Sequence, residues 1–221
     1  MLLLAHNEAF VAPALPLPAA PAPRARFQQT LSARQSFCFD KQEAGGFYRL
    51  TSGCLALSQY LPDGRRQIVD FVGPGRLFGF CAFGPNGTIA ESLTISTFER
   101  IAADSSENLQ DELSTMLWRM QNHALLLGRK TAMERVASAM LDLSRQFARP
   151  GRARLQMAFT LYPTRADLAD WLGLTVETVS RCLNAMKRDR LIDFTRPELV
   201  TIRDMPRLLE ASGATAVAKT A

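Results

Sequence analysis

Residues 164–190 read TRADLADWLGLTVETVSRCLNAMKRDR, and their pattern predicts two short amphipathic helices joined by a tight turn. Thr164 is a good helix N-cap, and Asp167 three residues on completes a capping-box-like pair, so the first helix starts there. Leu168, Ala169, Trp171 and Leu172 fall on its inward side, and Gly173 permits the backbone reversal of a turn. Thr175 then caps a second helix. On a 100° wheel Val176, Val179, Leu183 and Met186 form a core-facing stripe.

The opposite side of that second helix gathers Glu177, Ser180, Arg181, Asn184 and Arg188. An Arg one turn from a Glu near a helix start fits base reading. Arginine grips guanine O6 and N7 with two parallel bonds, and a carboxylate accepts from cytosine N4. The same spacing also fits a plain i,i+4 surface ion pair worth a few tenths of a kcal/mol.

The flanking residues separate these readings. Phe159, Leu161, Pro163, Thr164, Arg165, Asp167 to Asp170, and Leu172 to Arg181 form a gap-free string that closely resembles the helix-turn-helix of the CRP/FNR transcription regulators. The segment ETVSR at 177–181 is most similar to the FixK-type branch. The resemblance implies that Glu177, Ser180 and Arg181 contact base pairs. Thr164, Arg165, Thr175 and Thr178 are then expected to hold phosphates and set register. It also implies a homodimer on a palindromic operator in double-stranded DNA, RNA polymerase as a partner, and activation of genes for low-oxygen respiration or nitrogen fixation.

The 221 residues suffice for one large or two ordinary domains, with a soluble globular composition of 47% hydrophobic and 21% charged residues. The net charge of +5 is unevenly spread. Residues 1–128 hold 10 lysines and arginines against 11 acidic residues, whereas residues 129–221 hold 16 against 10. The basic excess thus accompanies the helix-turn-helix, as an electrostatic footprint for phosphate should. No apolar run approaches the roughly 20 residues of a membrane span. MLLLA at the start is too short for a signal-peptide core, so the expected location is cytoplasmic. Residues 11–25, VAPALPLPAAPAPRA, lack a hydrophobic period, and residues 1–26 are expected to be a disordered Ala/Pro-rich tail.

From Arg34 to Ile101 short strands alternate with Gly/Pro turns, at Gln35–Phe39, Phe47–Leu50, Cys54–Tyr60, Arg66–Val72 and Thr88–Thr97. This suggests a small antiparallel barrel or roll. The segment LPDGRRQIVDFVGPGRLFGF, residues 61–80, resembles the cupin-like sensor roll of the same family. It departs at Arg76, where relatives often carry an acidic residue, and the part before Phe47 is shorter than usual. Nothing after Gly79 matches the Arg-Ser pair that holds a cyclic-nucleotide phosphate in relatives, so a cyclic nucleotide is not expected as ligand.

Residues 106–127 read as a long helix. Leu109, Leu113, Met116, Met120, His123 and Leu127 advance by alternate steps of four and three, an a/d seam for a parallel two-helix dimer. A helix buried in its own domain is the other reading, which Leu117, Ala124 and Leu126 would allow. His123 on the seam would make dimerisation pH-sensitive if it titrates there. Gly128-Arg129-Lys130 interrupts the pattern as a hinge. A second helix follows through Met133, Val136, Ala137, Met140, Leu143 and Phe147. A strand at Leu155–Thr160 and a hairpin of Leu191–Phe194 with Leu199–Ile202 then complete a winged helix, with Arg196 at the wing tip within reach of phosphate.

Cys38, Cys54, Cys81 and Cys182 have no clustered spacing, and His6 and His123 are the two histidines, so neither an iron–sulfur nor a zinc site assembles. One branch of the family has an N-terminal cysteine cluster that finds no match here. Cys182 is the candidate redox group, because Arg181, Lys187 and Arg188 would favour its thiolate, although the wheel turns it toward the apolar edge. No catalytic constellation and no cofactor site stands out. The expected architecture is α+β: an antiparallel β-roll at 27–104, a dimerisation helix at 105–128 and a winged helix-turn-helix at 129–221. The competing classes are a ligand-binding protein or enzyme built on the roll, with the helices serving to dimerise, and a haem- or nitric-oxide-sensing regulator.

Overall fold

The computed structural model describes residues 28–38, 46–79, 88–101, 109–148 and 157–214; the anticipated N-terminal tail lies outside them. Eight strands come first: β1 (Gln28–Leu31), β2 (Ser36–Cys38), β3 (Phe47–Ser52), β4 (Leu55–Tyr60), β5 (Arg66–Val72), β6 (Leu77–Gly79), β7 (Ile89–Ser92) and β8 (Ser96–Ile101). They make two four-stranded sheets, ordered β1-β8-β3-β6 and β2-β7-β4-β5, with antiparallel pairing throughout. Between the sheets lie Leu31, Leu50, Leu55, Leu57, Phe78 and Phe98. Phe78 and Phe98 meet edge-on at 5.3 Å, a favoured aromatic geometry.

The single strand expected at Thr88–Thr97 is two strands. Residues 93–95 carry the chain from the sheet of β7 to that of β8. Leu93 N donates to Cys54 O at 2.8 Å at that crossing, and Ser96 Oγ donates to the same carbonyl at 3.2 Å. β1 and β6 were not anticipated, since three or four residues give alternation too little length to register.

The helical part follows as α1 (Leu109–Arg129), α2 (Ala132–Gln146), β9 (Met157–Thr160), α3 (Arg165–Leu172), α4 (Val176–Arg188), β10 (Ile192–Arg196), β11 (Leu199–Ile202) and α5 (Met205–Ala211). Gly128 and Arg129 stay helical, and the break comes at Lys130–Thr131. There Thr131 forms a reciprocal capping box with Glu134. Arg135 staples the junction, donating to Leu127 O at 2.7 Å and to Leu172 O at 3.0 Å.

Val136, Met140 and Leu143 of α2 pack with Phe159, Leu168, Leu172, Leu183 and Met186 in a second core. That core also takes in Ala56, Ile68 and Phe71 of the roll. β4 is buried on both faces for this reason: Leu55 and Leu57 look into the roll, and Ala56 looks toward the helices.

The exposed stripe of α1 differs from the expected seam. Leu117 is 57% and Met120 67% exposed; Ala124 is exposed and Leu113 half-buried beside them. Met116 and Leu127 are half-buried. His123 turns to its own chain, where its ring stacks on Trp171 at 5.9 Å and 8°. The apolar row that α1 leaves at the surface is therefore Leu113, Leu117, Met120 and Ala124, again in steps of four, three and four, and it shares Leu113 and Met120 with the expected seam. It is displaced around the helix because α1 packs its other side on the roll and α3. Val176 is corrected too: it is 47% exposed, and Cys182 takes its place on the buried stripe of α4.

Candidate nucleic-acid interface

The helix-turn-helix is built by caps. Thr164 Oγ1 accepts from Asp167 N at 3.1 Å, and Thr164 N donates back to Asp167 Oδ2 at 2.9 Å, so two orphan donors at the α3 start are satisfied. Gly173 ends α3 with φ 61° and ψ 43°, a left-handed conformation that costs a glycine little. Thr175 caps α4 by accepting from Thr178 N at 3.2 Å. Val179, Cys182, Leu183 and Met186 then anchor α4 on the core, which leaves the other face of the helix to solvent.

On that face the Glu177 and Arg181 side chains are 80% and 71% exposed. Their closest approach is 3.9 Å, at the limit of an ion pair and worth little between exposed groups. Arg181 Nη2 also donates to Thr178 Oγ1 at 3.3 Å, and the Thr175 and Thr178 hydroxyls share a hydrogen bond at 2.9 Å. Ser180 is half-buried beside Arg181. The three expected base-reading residues thus occupy the first turn and a half of α4, with Arg181 bonded to Thr178, whose hydroxyl pairs with that of Thr175 at the cap.

The expected phosphate contacts are less uniform. Thr164 and Thr175 are exposed and Thr178 is half-buried. Arg165 lies over the Phe194 ring of β10, 4.9 Å from its centroid, and burial lowers its guanidinium from the ordinary value. Its charge is therefore shared with an aromatic face. β10, β11 and β9 form the three-stranded wing sheet, and Arg196 is exposed at its turn. Lys187, Arg188 and Arg190 extend the exposed positive surface past the end of α4, with Arg190 in the left-handed region at φ 59°.

Cys182 departs from its expected environment. Its side chain is buried, and burial pushes the thiol up while Arg181 only partly offsets this. Thiolate character, the chemical basis of a redox role there, is disfavoured. Cys54 is a buried core thiol, also pushed up, chiefly by burial. The stretch after Gly79 that bears on a cyclic nucleotide begins outside the described residues, as do Cys81 and His6.

Sequence reasoning missed how many charged side chains bind the roll to the helices. Asp70 of β5 receives Arg76 at 2.6 Å and Arg119 of α1 at 2.9 Å, and Arg119 reaches Asp142 of α2 at 2.7 Å. Burial alone would raise the Asp70 carboxyl, but the two guanidiniums hold it well below the usual carboxylate range. Arg76, the departure from the family pattern, is thus occupied with Asp70 and with Gln146 Oε1 at 3.1 Å. Its signal in the sequence was a charge in an otherwise apolar strand-and-turn context. Among the described residues no helix is long and apolar enough to cross a membrane.

Two family models match the chain: a Crp-like helix-turn-helix domain over residues 134–211 and a cyclic nucleotide-binding domain over residues 28–111. The nitrogen fixation regulation protein FixK of Rhizobium meliloti is 37% identical over 163 residues, covering 68% of this chain and 74% of that protein. The transcriptional activator protein FnrL of Cereibacter sphaeroides is 32% identical over 205 residues, covering 85% of this chain and 81% of that one. Among solved structures, FixK2 from Bradyrhizobium japonicum superposes with a TM-score of 0.75 at 28% identity, over 87% of this chain and 100% of its own.

Proposed function

Because the chain belongs to the CRP/FNR family of DNA-binding transcription regulators and is not an enzyme, we propose that it acts as a homodimer on a palindromic operator. The proposed division is a sensor-like roll at 27–104, a dimerisation helix at 105–128 and a winged helix-turn-helix at 129–221. One observation carries the DNA reading: at the capped start of α4, Glu177 and Arg181 stand free in solvent and scarcely paired with each other. Arg181 bonds guanine, Glu177 accepts from cytosine and Ser180 meets a neighbouring base. Thr164, Arg165, Thr175, Thr178 and Arg196 hold phosphates.

Dimerisation rests on the apolar stripe of Leu113, Leu117, Met120 and Ala124 along α1. Two large exposed apolar side chains in this row favour burial against a second copy. The two recognition helices then enter successive major grooves about one helical turn apart, ~34 Å. RNA polymerase is the expected partner at the promoter, and the output is activation of genes for nitrogen fixation, in keeping with the names of the FixK and FnrL relatives, or for low-oxygen respiration. Selection of bound sites from random duplexes tests this. The expected result is an inverted repeat with guanine and cytosine at fixed half-site positions. Binding no tighter than to scrambled duplex would overturn it.

A further inference from the structure

Helix α3 is gripped from the roll chiefly by β5. Arg66 of β5 donates through Nε to Asp170 Oδ2 at 2.8 Å and through Nη2 to Asp167 Oδ1 at 2.7 Å. Its third nitrogen, Nη1, donates to Glu91 Oε2 of β7 at 3.1 Å, which aims the fork. Next along β5, Gln67 Nε2 donates to the carbonyls of Asp170 at 2.7 Å and Trp171 at 3.3 Å. Phe71 of the same strand meets Trp171 edge-on at 4.9 Å. Arg34, held in the left-handed region at φ 66°, adds bonds to Glu91 at 3.2 Å and to Asp167 at 3.4 Å.

Asp167 ties this grip to the DNA-facing end of α3. It is 2% exposed. One of its oxygens accepts from Thr164 N and Thr164 Oγ1, at 2.9 and 2.7 Å, while the other accepts from Arg66. The carboxylate that caps α3 is therefore also the roll's handle on it. Without Arg66, α3 would keep the Gln67 and Phe71 contacts from the roll, the single bond from Arg34 and the stacking of Trp171 on His123 of α1, but it would lose the fork that holds both of its carboxylates.

We propose that Arg66 and Gln67 are positioning residues for DNA recognition: by clamping α3 to the roll they fix the direction of α4 relative to α1. This rests on the dimeric operator reading above. Two half-sites are engaged together only if both recognition helices are presented at one separation. A loosened presentation lowers the effective concentration for the second half-site while leaving each single contact intact.

The test uses the full chain, its selected operator, the isolated half-site, and operators with one or two base pairs added at the centre. For Arg66→Ala the expected result is operator binding weaker on the order of tenfold, half-site binding unchanged, and a smaller penalty for the added base pairs. Arg66→Lys should recover only part, because a point charge does not fork onto two carboxylates. Equal losses on operator and half-site would assign Arg66 to winged-helix stability alone and overturn the proposal, as would unchanged spacing discrimination. If Arg66→Ala does not fold, Asp170→Asn removes one Arg66 bond from a side chain 36% exposed, and the same comparison decides. A parent chain that prefers no inverted repeat sinks the dimeric reading and the positioning role together. A parent with that preference and an indifferent variant sinks only the positioning role.

Discussion

Arg181 has two neighbours that compete weakly for it, a carboxylate at 3.9 Å and a hydroxyl at 3.3 Å. Releasing it to a guanine costs little, since an exposed pair of this kind contributes at most about 1 kcal/mol. Arg181→Ala should therefore cost about 1–3 kcal/mol per half-site and relax preference at one base pair. Dissociation constants measured on operators altered at each position check this, and an equal loss on every sequence would show that Arg181 holds phosphate. Arg165 is the contrast. Its guanidinium lies over the Phe194 ring, which holds it beside α3 and away from the base-reading face of α4, so Arg165→Ala should weaken all duplexes alike and lower the salt dependence. The exposed positions Glu177 and Arg181 were legible from spacing because a helical wheel is local geometry. The Arg165 stack was not, because Phe194 arrives from a strand of the wing.

At the scale of elements, caps and periodicity were readable where the chain's own neighbours decide the outcome. Thr164, Gly173 and Thr175 bound α3 and α4 as expected, since a cap is a contact between residues two or three apart. The rotational setting of α1 was not readable. Two overlapping rows of apolar residues run along that helix, and which one faces outward depends on the roll and on Trp171. Of the expected row, His123 meets the chain itself by stacking on Trp171, whereas Leu113 and Met120 belong to both rows. Leu117→Glu or Met120→Glu should therefore shift the dimer to monomer, with two like charges facing across the seam. His123→Gln should leave the association constant nearly unchanged. Sedimentation equilibrium separates the two settings, and a dimer weakened by His123→Gln but not by Leu117→Glu would restore the original seam.

For the whole molecule, the roll and the winged helix are coupled through buried charge, which makes their joint stability depend on pH. His123 lies between α1 and Trp171, faced by Asp70 of β5, by Arg119 on its own helix and by Asp142 of α2. Burial pushes its imidazole below the ordinary value, with Asp70 opposing. The unfolded chain therefore binds a proton more readily than the folded one, and stability falls as pH drops below about 6.5, the reference value for histidine. Asp70 is also depressed, held ionised by Arg76 and Arg119. Its contribution is present above the unfolded carboxyl value of about 3.9 and is lost as pH falls below it. Two separate acid steps should appear in the unfolding midpoint against pH. His123→Gln should flatten the upper step and leave the lower one, whereas Asp70→Asn should shrink the lower one, to which the depressed Asp167 also contributes, while lowering stability at neutral pH, because Arg119 would stay buried with one partner fewer. Neither step was visible in the sequence, where His123 stood on a helix and Asp70 in a strand 53 positions away. Docking the roll on α1 and α2 is what brings them together. An upper step of the same slope in the parent and in His123→Gln would exclude the imidazole as its origin.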